Sequence, residues 1–455
     1  MDNHFLKAGA AQTDITPVLG TVINGEFTCR YATKIADALF AKALVLQDSA
    51  VTIAIVIADT CALQRDFIDE VKAMIFTQTG IWPEHQLIAA THTHSGGSVA
   101  DLLLGHVDWA YRKRAGHLIA QSVKEAQARL APAQIGFGHI EQPQHLLCRR
   151  YRMSTDYVPS NPVTGGVDAV KTNPFGAEEF IEAGTSVPDP GLCYMAVKGM
   201  EGNWISILAN YCLHYVGDCE RGTISADYFG YFARTLAAQL NSEGFVGIMS
   251  NGTSGEVNIW DFQHPGRYPV EPHKKSELIG SDLARALMAS LDAVVWQEQP
   301  VLQVQFEELM LPARKPSAAD IKKAAAIVAA TNYETIAFGQ EDFFERIYAR
   351  EQLLLAAYPE EILFPVQSFK IGKGMIGALG GEFFSETGLL LKKRAGENYF
   401  TVCMANDYVG YVPPAHELEK GGYECWRCRT SFLDPGAELM IRSAMKRQID
   451  FFKTV

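Results

Sequence analysis

The sequence predicts an α/β fold: layered mixed β-sheets flanked by helices and gathered into a single large domain. Three observations carry that expectation. The chain has 455 residues, 48% of them hydrophobic, enough to bury a sizeable core. Its first quarter alternates β-branched runs with helical periodicity. Later segments return to the strand period of two, and no internal repeat or low-complexity linker divides them.

Residues 51–57, VTIAIVI, are a continuous β-branched run, as expected of a strand buried on both faces. Phe67, Ile68, Val71, Met74 and Ile75 then fall on one helical stripe, and Gly80 ends it. Residues 87–90 read as a short buried strand, and 109–130 as a long helix closed by Pro132. Pro, Gly, Asn and Asp crowd residues 141–190, an irregular excursion of the kind that walls a pocket. A hairpin follows, with strands at 191–197 and 203–208 around Gly199-Met-Glu-Gly202. Residues 228–241 form an amphipathic helix and 245–249 a short strand. Beyond residue 300 come a half-exposed strand (301–311), helices over 317–330 and 342–357, a glycine-punctuated strand (369–379), a strand (399–404) and a helix from about Pro435.

The formal net charge of −12 and pI near 5.5 argue against nucleic acid or an anionic membrane as partner. No apolar run is long enough to span a membrane. The N-terminus has no basic start leading into an apolar core, so it does not read as a signal peptide and a cytoplasmic location is expected. The nine cysteines are scattered, and the one close pair, Cys425 and Cys428, has no second CxxC to complete a zinc knuckle. Reduced thiols are the expectation. A small molecule is the expected partner, with a homo-oligomer left open.

The chemistry concentrates at strand ends. The apolar run at 87–90 stops at Thr91-His-Thr-His-Ser-Gly-Gly97. Within a flat strand two histidines one residue apart would share a face about 7 Å apart. Just past the strand end, His92 and His94 can converge, with Thr91, Thr93 and Ser95 placed to fix tautomers and Gly96 and Gly97 allowing close approach of a bound group. His214 ends another apolar run, and Glu382 follows a glycine-rich strand. Tyr408 and Tyr411 follow the strand at 399–404. Two imidazoles and a carboxylate match the His₂Glu set of an open catalytic zinc site. Asp59, at the end of the first buried strand, is placed to orient a ligand imidazole.

The order THTHSGG, NYCLHYVG, SADYFGYFARTL, SNGTSGEVN, GGEFF, ANDYVGY and GGYE resembles the neutral (non-lysosomal) ceramidase family over nearly the whole chain. The resemblance implies that His92, His214, Glu382 and, as a phenolic ligand, Tyr411 hold one catalytic Zn²⁺. It implies that His94 faces the substrate and serves as proton shuttle. Tyr423 would polarise the scissile carbonyl, and Arg149 would hold a polar substrate group. Gly380 stands where the family has proline. Where the family has S-N-x-G-D-T-S-P-N, Glu256 takes the place of its serine and Ser254 of its aspartate, so a serine nucleophile is not expected. The family's secretion and its C-terminal β-sandwich have no expected counterpart here. Arg149, Arg150 and Arg152 at the start of the excursion point to a carboxylate- or hydroxyl-bearing substrate rather than an alkyl chain. The function expected is zinc-dependent hydrolysis of an amide in a small polar substrate. An esterase or lactonase acting on a sugar-derived or hydroxy acid is the close alternative, and a non-catalytic binding protein the third.

Overall fold

The computed structural model describes residues 5–454. Eight strands form the main sheet: β1 (Lys7–Asp14), β2 (Phe40–Gln47), β3 (Thr52–Ala58), β4 (Gln86–Ala90), β5 (Ala131–Glu141), β6 (Gly191–Gly199), β7 (Trp204–Tyr211) and β8 (Val246–Asn251). Their spatial order is β8-β7-β6-β5-β1-β2-β3-β4, with β3–β4 and β7–β8 parallel and the other pairs antiparallel. The sheet is hinged at its middle, because β1 and β5 pair through only Lys7↔Pro132 and Ala8↔Ala131. A second sheet, in the order β9 (Leu302–Pro312), β10 (Glu361–Ile371), β11 (Gly374–Leu379) and β13 (Tyr399–Val402), completes the β core. Between β11 and β13, the short strand β12 (Glu382–Phe383) pairs in parallel with β14 (Tyr411–Val412).

Strand alternation assigns the layers. Leu44, Ile55 and Leu87 from one half of the main sheet, Met195 and Ile248 from the other, and Phe369, Ile376 and Phe400 from the second sheet share one buried cluster. The opposite face of the first half (Val45, Val56) meets α1 (Arg65–Thr79) and α2 (Trp109–Ala128). The opposite face of the second half (Ala196, Ile207) meets α3 (Asp227–Leu240) and α4 (Lys274–Ser290). Beyond the second sheet, Val366 packs with Ile441 and Met445 of the C-terminal helix (Ala437–Thr454).

The free edges of the two half-sheets are laced together by residues 403–406. Cys403 N donates to Asn251 O, Ala90 N to Met404 O, and Asn406 N to Ile88 O. Met404 and Asn406 take positive φ, 58° and 64°, to make the two turns this path requires. The lacing brings the carboxyl ends of β4 and β7, which lie in different halves, to one place.

Most of the expected elements are present, with shifted ends. Strands β1, β2 and β5 and helix α4 were not predicted. β1, KAGAAQTD, lacks the β-branched signature because α2 lies almost on it; a Cβ on Gly9 would sit 2.2 Å from the carbonyl of Ala126. The single strand expected over 369–379 is two, β10 and β11, turning at Gly372 with φ of 57°. The excursion at 141–190 is less irregular than expected. It holds a three-stranded sheet of Arg150–Met153, Lys171–Thr172 and Ile181–Gly184, over a small cluster of Tyr151, Met153 and Ala177. None of the nine cysteines is paired in a disulfide. Among the described residues no helix is long and apolar enough to cross a membrane.

Candidate metal centre

Past β4 the backbone leaves the pleat at His92, whose φ is 71°. A positive φ costs a residue with a Cβ roughly 1–3 kcal/mol and persists where surrounding contacts enforce it. Here Thr91 N donates to Ala58 O and His92 N to Thr60 O. The turn brings His92 Nε2 to 3.1 Å from His94 Nε2 and 3.1 Å from His214 Nε2. Glu382 Oε2 lies 3.5 Å from Nε2 of both His92 and His214. His92, His214 and Glu382 form one cluster with ligand atoms mutually within 4.8 Å, whereas His94 groups with His92 and Cys61 instead.

Backbone carbonyls, rather than the neighbouring hydroxyls that were expected, fix the tautomers. His92 Nδ1 lies 2.7 Å from the carbonyl oxygen of Cys61, and His214 Nδ1 lies 3.2 Å from that of Ser254. A carbonyl only accepts, so each Nδ1 carries a proton, and in the neutral imidazole, the form that binds an ion, each Nε2 is left with a lone pair. Two lone pairs and a carboxylate oxygen therefore face one point. Tyr408 donates to Glu382 Oε1 at 2.8 Å, while buried Oε2 has no hydrogen-bond partner. Bonds of about 2.0–2.1 Å in a tetrahedral site separate ligand atoms by roughly 3.3 Å. The spacings of 3.1–3.5 Å fit a divalent ion held by these three groups.

The protein's own charges respond to the same crowding. At Glu382 burial opposes ionisation, but His92, His214 and Arg149 outweigh it and hold the carboxyl at about 2. At His92 burial opposes the charged form, and Glu382 with Cys61 overcomes it, raising the imidazole well above its ordinary value. Burial first, and then neighbouring positive charge, pushes His94 and His214 well below theirs.

The centre opens into a cavity of about 510 Å³ reached by His94, His214, Tyr411, Tyr423 and Arg149. His94 stacks flat on Tyr215, with ring centroids 3.5 Å apart and planes 13° apart. Tyr411 stands beside Glu382 in the β12–β14 ladder, and its ring lies 5.5 Å from that of Tyr423. The guanidinium of Arg149 sits over both rings, at 5.4 and 5.9 Å, and donates to Glu424 Oε1 and Gly255 O at 2.7 and 2.6 Å. Residues Lys171, Thr172, Asn173 and Phe175 line the cavity, so the 141–190 segment does wall it.

Several expectations need correction. Asp59 touches no imidazole: its Oδ2 accepts from Phe40 N at 2.9 Å and faces Lys42 Nζ at 3.7 Å. The arginine run does not act as one patch. Arg149 lines the cavity, Arg150 is fully buried against Glu424 and Glu417, and Arg152 pairs with Glu182 at the surface. Gly96 and Gly97 make room for the protein itself, since a Cβ would meet Thr60 Cα at 3.0 Å at the first and the Tyr111 ring at 2.3 Å at the second. Glu256 receives the backbone N–H of Ser385, the first residue of the helix Ser385–Ala395, on both oxygens. Ser254 is hydrogen-bonded to Asn251 Oδ1 at 2.7 Å. The stacking of Tyr215 on His94 was not anticipated; the only sign of it in the sequence is an aromatic residue directly after His214.

No protein-family model matches the sequence, and no curated protein matches it. The solved structures that share its fold include two ceramidases. One is neutral ceramidase from Pseudomonas aeruginosa, 18% identical, with a TM-score of 0.71 covering 98% of this chain and 74% of that one. The other is a ceramidase complexed with C2, 17% identical, with a TM-score of 0.72 covering 99% and 76%. The mixed α/β architecture is therefore shared with these structures over nearly all of this chain and about three quarters of theirs.

Proposed function

We propose that the chain is one metal-dependent hydrolase domain that cleaves the N-acyl (amide) bond of a small substrate. One observation carries the reading: Nε2 of His92, Nε2 of His214 and Oε2 of Glu382 converge, beside a cavity that His214 lines, and with both imidazoles neutral no donor stands between them. The likeness in fold to two ceramidases supports an amide as the bond attacked. His92, His214 and Glu382 would hold the ion, with the phenol of Tyr411 as a fourth ligand, and the His₂–carboxylate donor set suits zinc. When bound, such an ion supplies Lewis acidity and lowers the pKa of water toward neutrality.

The remaining roles belong to the cavity wall. Tyr423, in the cavity wall, would donate to the oxygen of the scissile carbonyl as charge develops there; loss of one such donor costs on the order of 10²–10³ in rate. His94, held flat by Tyr215, is the group to pass a proton to the leaving nitrogen. Arg149, fixed by Glu424 and Gly255, orients a polar part of the substrate. The nine free cysteines support a cytoplasmic location.

The test is elemental analysis of the purified chain beside a screen of N-acyl amides, esters and lactones. We expect one divalent ion per chain, its loss in His214→Ala, and amide turnover. Turnover of esters or lactones alone would overturn the choice of bond. A chain that binds no metal at all would leave only the binding-protein reading.

A further inference from the structure

In a chain of net charge −12, the cavity at the metal centre has a cationic wall. Its lining carries Arg149, Lys171 and Arg221 against a single carboxylate, Glu26. That carboxylate is already engaged, by Arg30 at 3.0 Å and by Arg221. Lys171 has no acidic partner within ion-pair distance among the described residues; its backbone is held by pairing with Tyr151. Two positions on, Asn173 uses its Oδ1 to accept from Asn258 Nδ2 at 2.6 Å, which leaves its own Nδ2 hydrogens as donors. The wall is thus rich in donors and has no uncommitted acidic acceptor. Aromatic surfaces flank it: Phe175 against Trp260 at 5.2 Å on one side, Phe344 against Trp426 at 5.8 Å on another.

We propose that the substrate amide is an N-acyl amino acid, its carboxylate paired with Lys171 and Asn173 and its acyl group held between the aromatic surfaces. The inference rests on the hydrolase reading above and goes beyond it in naming the amine half. In the reaction the acyl C–N bond breaks, a C–O bond forms from water, and a proton goes to the leaving nitrogen. The products are a carboxylic acid and a free amino acid. The carboxylate stays on the amine side throughout and serves for recognition only.

The test compares N-benzoylglycine with its uncharged counterpart N-benzoylglycinamide on the metal-loaded full chain, by kcat/KM for release of benzoate and by calorimetric Kd. One charge-assisted contact is worth about tenfold. We expect the carboxylate to be preferred at least tenfold, and Lys171→Met to cut that preference about tenfold, chiefly through KM. Equal treatment of the two compounds, or preference for the uncharged one, would overturn the inference while leaving amide hydrolysis standing. Cleavage of neither would count against the hydrolase reading, and the ratio of dissociation constants would still decide whether the cavity selects an anion.

Discussion

Tyr408 reaches Glu382 from behind, donating to Oε1 and leaving Oε2 free for the cluster. Groups that orient a ligand in this way typically govern metal affinity by about 10–100-fold. Tyr408→Phe should weaken the ion by that amount in a chelator competition while keeping the fold. Unchanged affinity would mean that the ladder alone positions the carboxylate. A second residue reports through pH. Burial holds the Glu256 carboxyl at about 7, above its ordinary 4.5, although Ser385 N–H favours the charged form. Between these values the folded chain keeps a proton that the unfolded chain has lost. The associated stability is therefore full below about pH 4.5 and gone above about pH 7. Urea titrations of wild type and Glu256→Gln should diverge across that window by on the order of 3 kcal/mol, the variant being relatively favoured at high pH. At this scale the sequence was readable where residue type and position limit the options. His92, His214 and Glu382 were named because all three stand at strand ends and match the resemblance, and their ligand atoms do lie together. Asp59 stands in the same kind of position, but its partner Lys42 comes from the neighbouring strand, and pairing across strands is not written in local order. The arginine run misled because consecutive residues face different surroundings.

The element that places Glu382 is a ladder of two residue pairs, and Gly410 is its weak point. Glu382 N donates to Gly410 O, and the φ of Gly410 is 76°. A Cβ there would lie 2.1 Å from the backbone oxygen of Thr430. Gly410→Ala should cost roughly 2–4 kcal/mol and weaken the ion as well, because relief of the clash must move the strand that carries Tyr411. Thermal denaturation together with metal titration checks both; a loss of stability with unchanged metal affinity would uncouple the ladder from the centre. Elements with strong periodicity, such as α1 and α2, were legible. Strands β1 and β5 were not, because their alanines and glycines are chosen for close packing: at Gly136 a Cβ would lie 2.2 Å from Val294 and at Gly138 2.1 Å from Tyr194. Close packing removes the bulky β-branched residues by which a strand is recognised.

Across the whole molecule the centre is assembled from both halves of the hinged sheet and from the segment that follows β11. An ion bound there links these parts, so it should stabilise the fold. With free metal a thousandfold above its Kd the gain is about 4 kcal/mol. Addition of a chelator should therefore lower the melting temperature, and a melting curve indifferent to chelator would remove the ion from any structural role. The layered α/β class of the fold followed from alternation and helix stripes. The hinge did not, since it is set by how few residues β1 and β5 share.

Residues 403–406 and the β12–β14 ladder come late in the chain, far from the histidines they complete. Translation therefore completes the candidate cation pocket only after both of its histidines have been made. A polypeptide abandoned by the ribosome before Glu382 carries both imidazoles but no carboxylate to balance the ion and no lacing to bring its two β halves together. Such a fragment lacks one of the three clustered ligand groups and should hold a divalent ion more weakly than the folded chain.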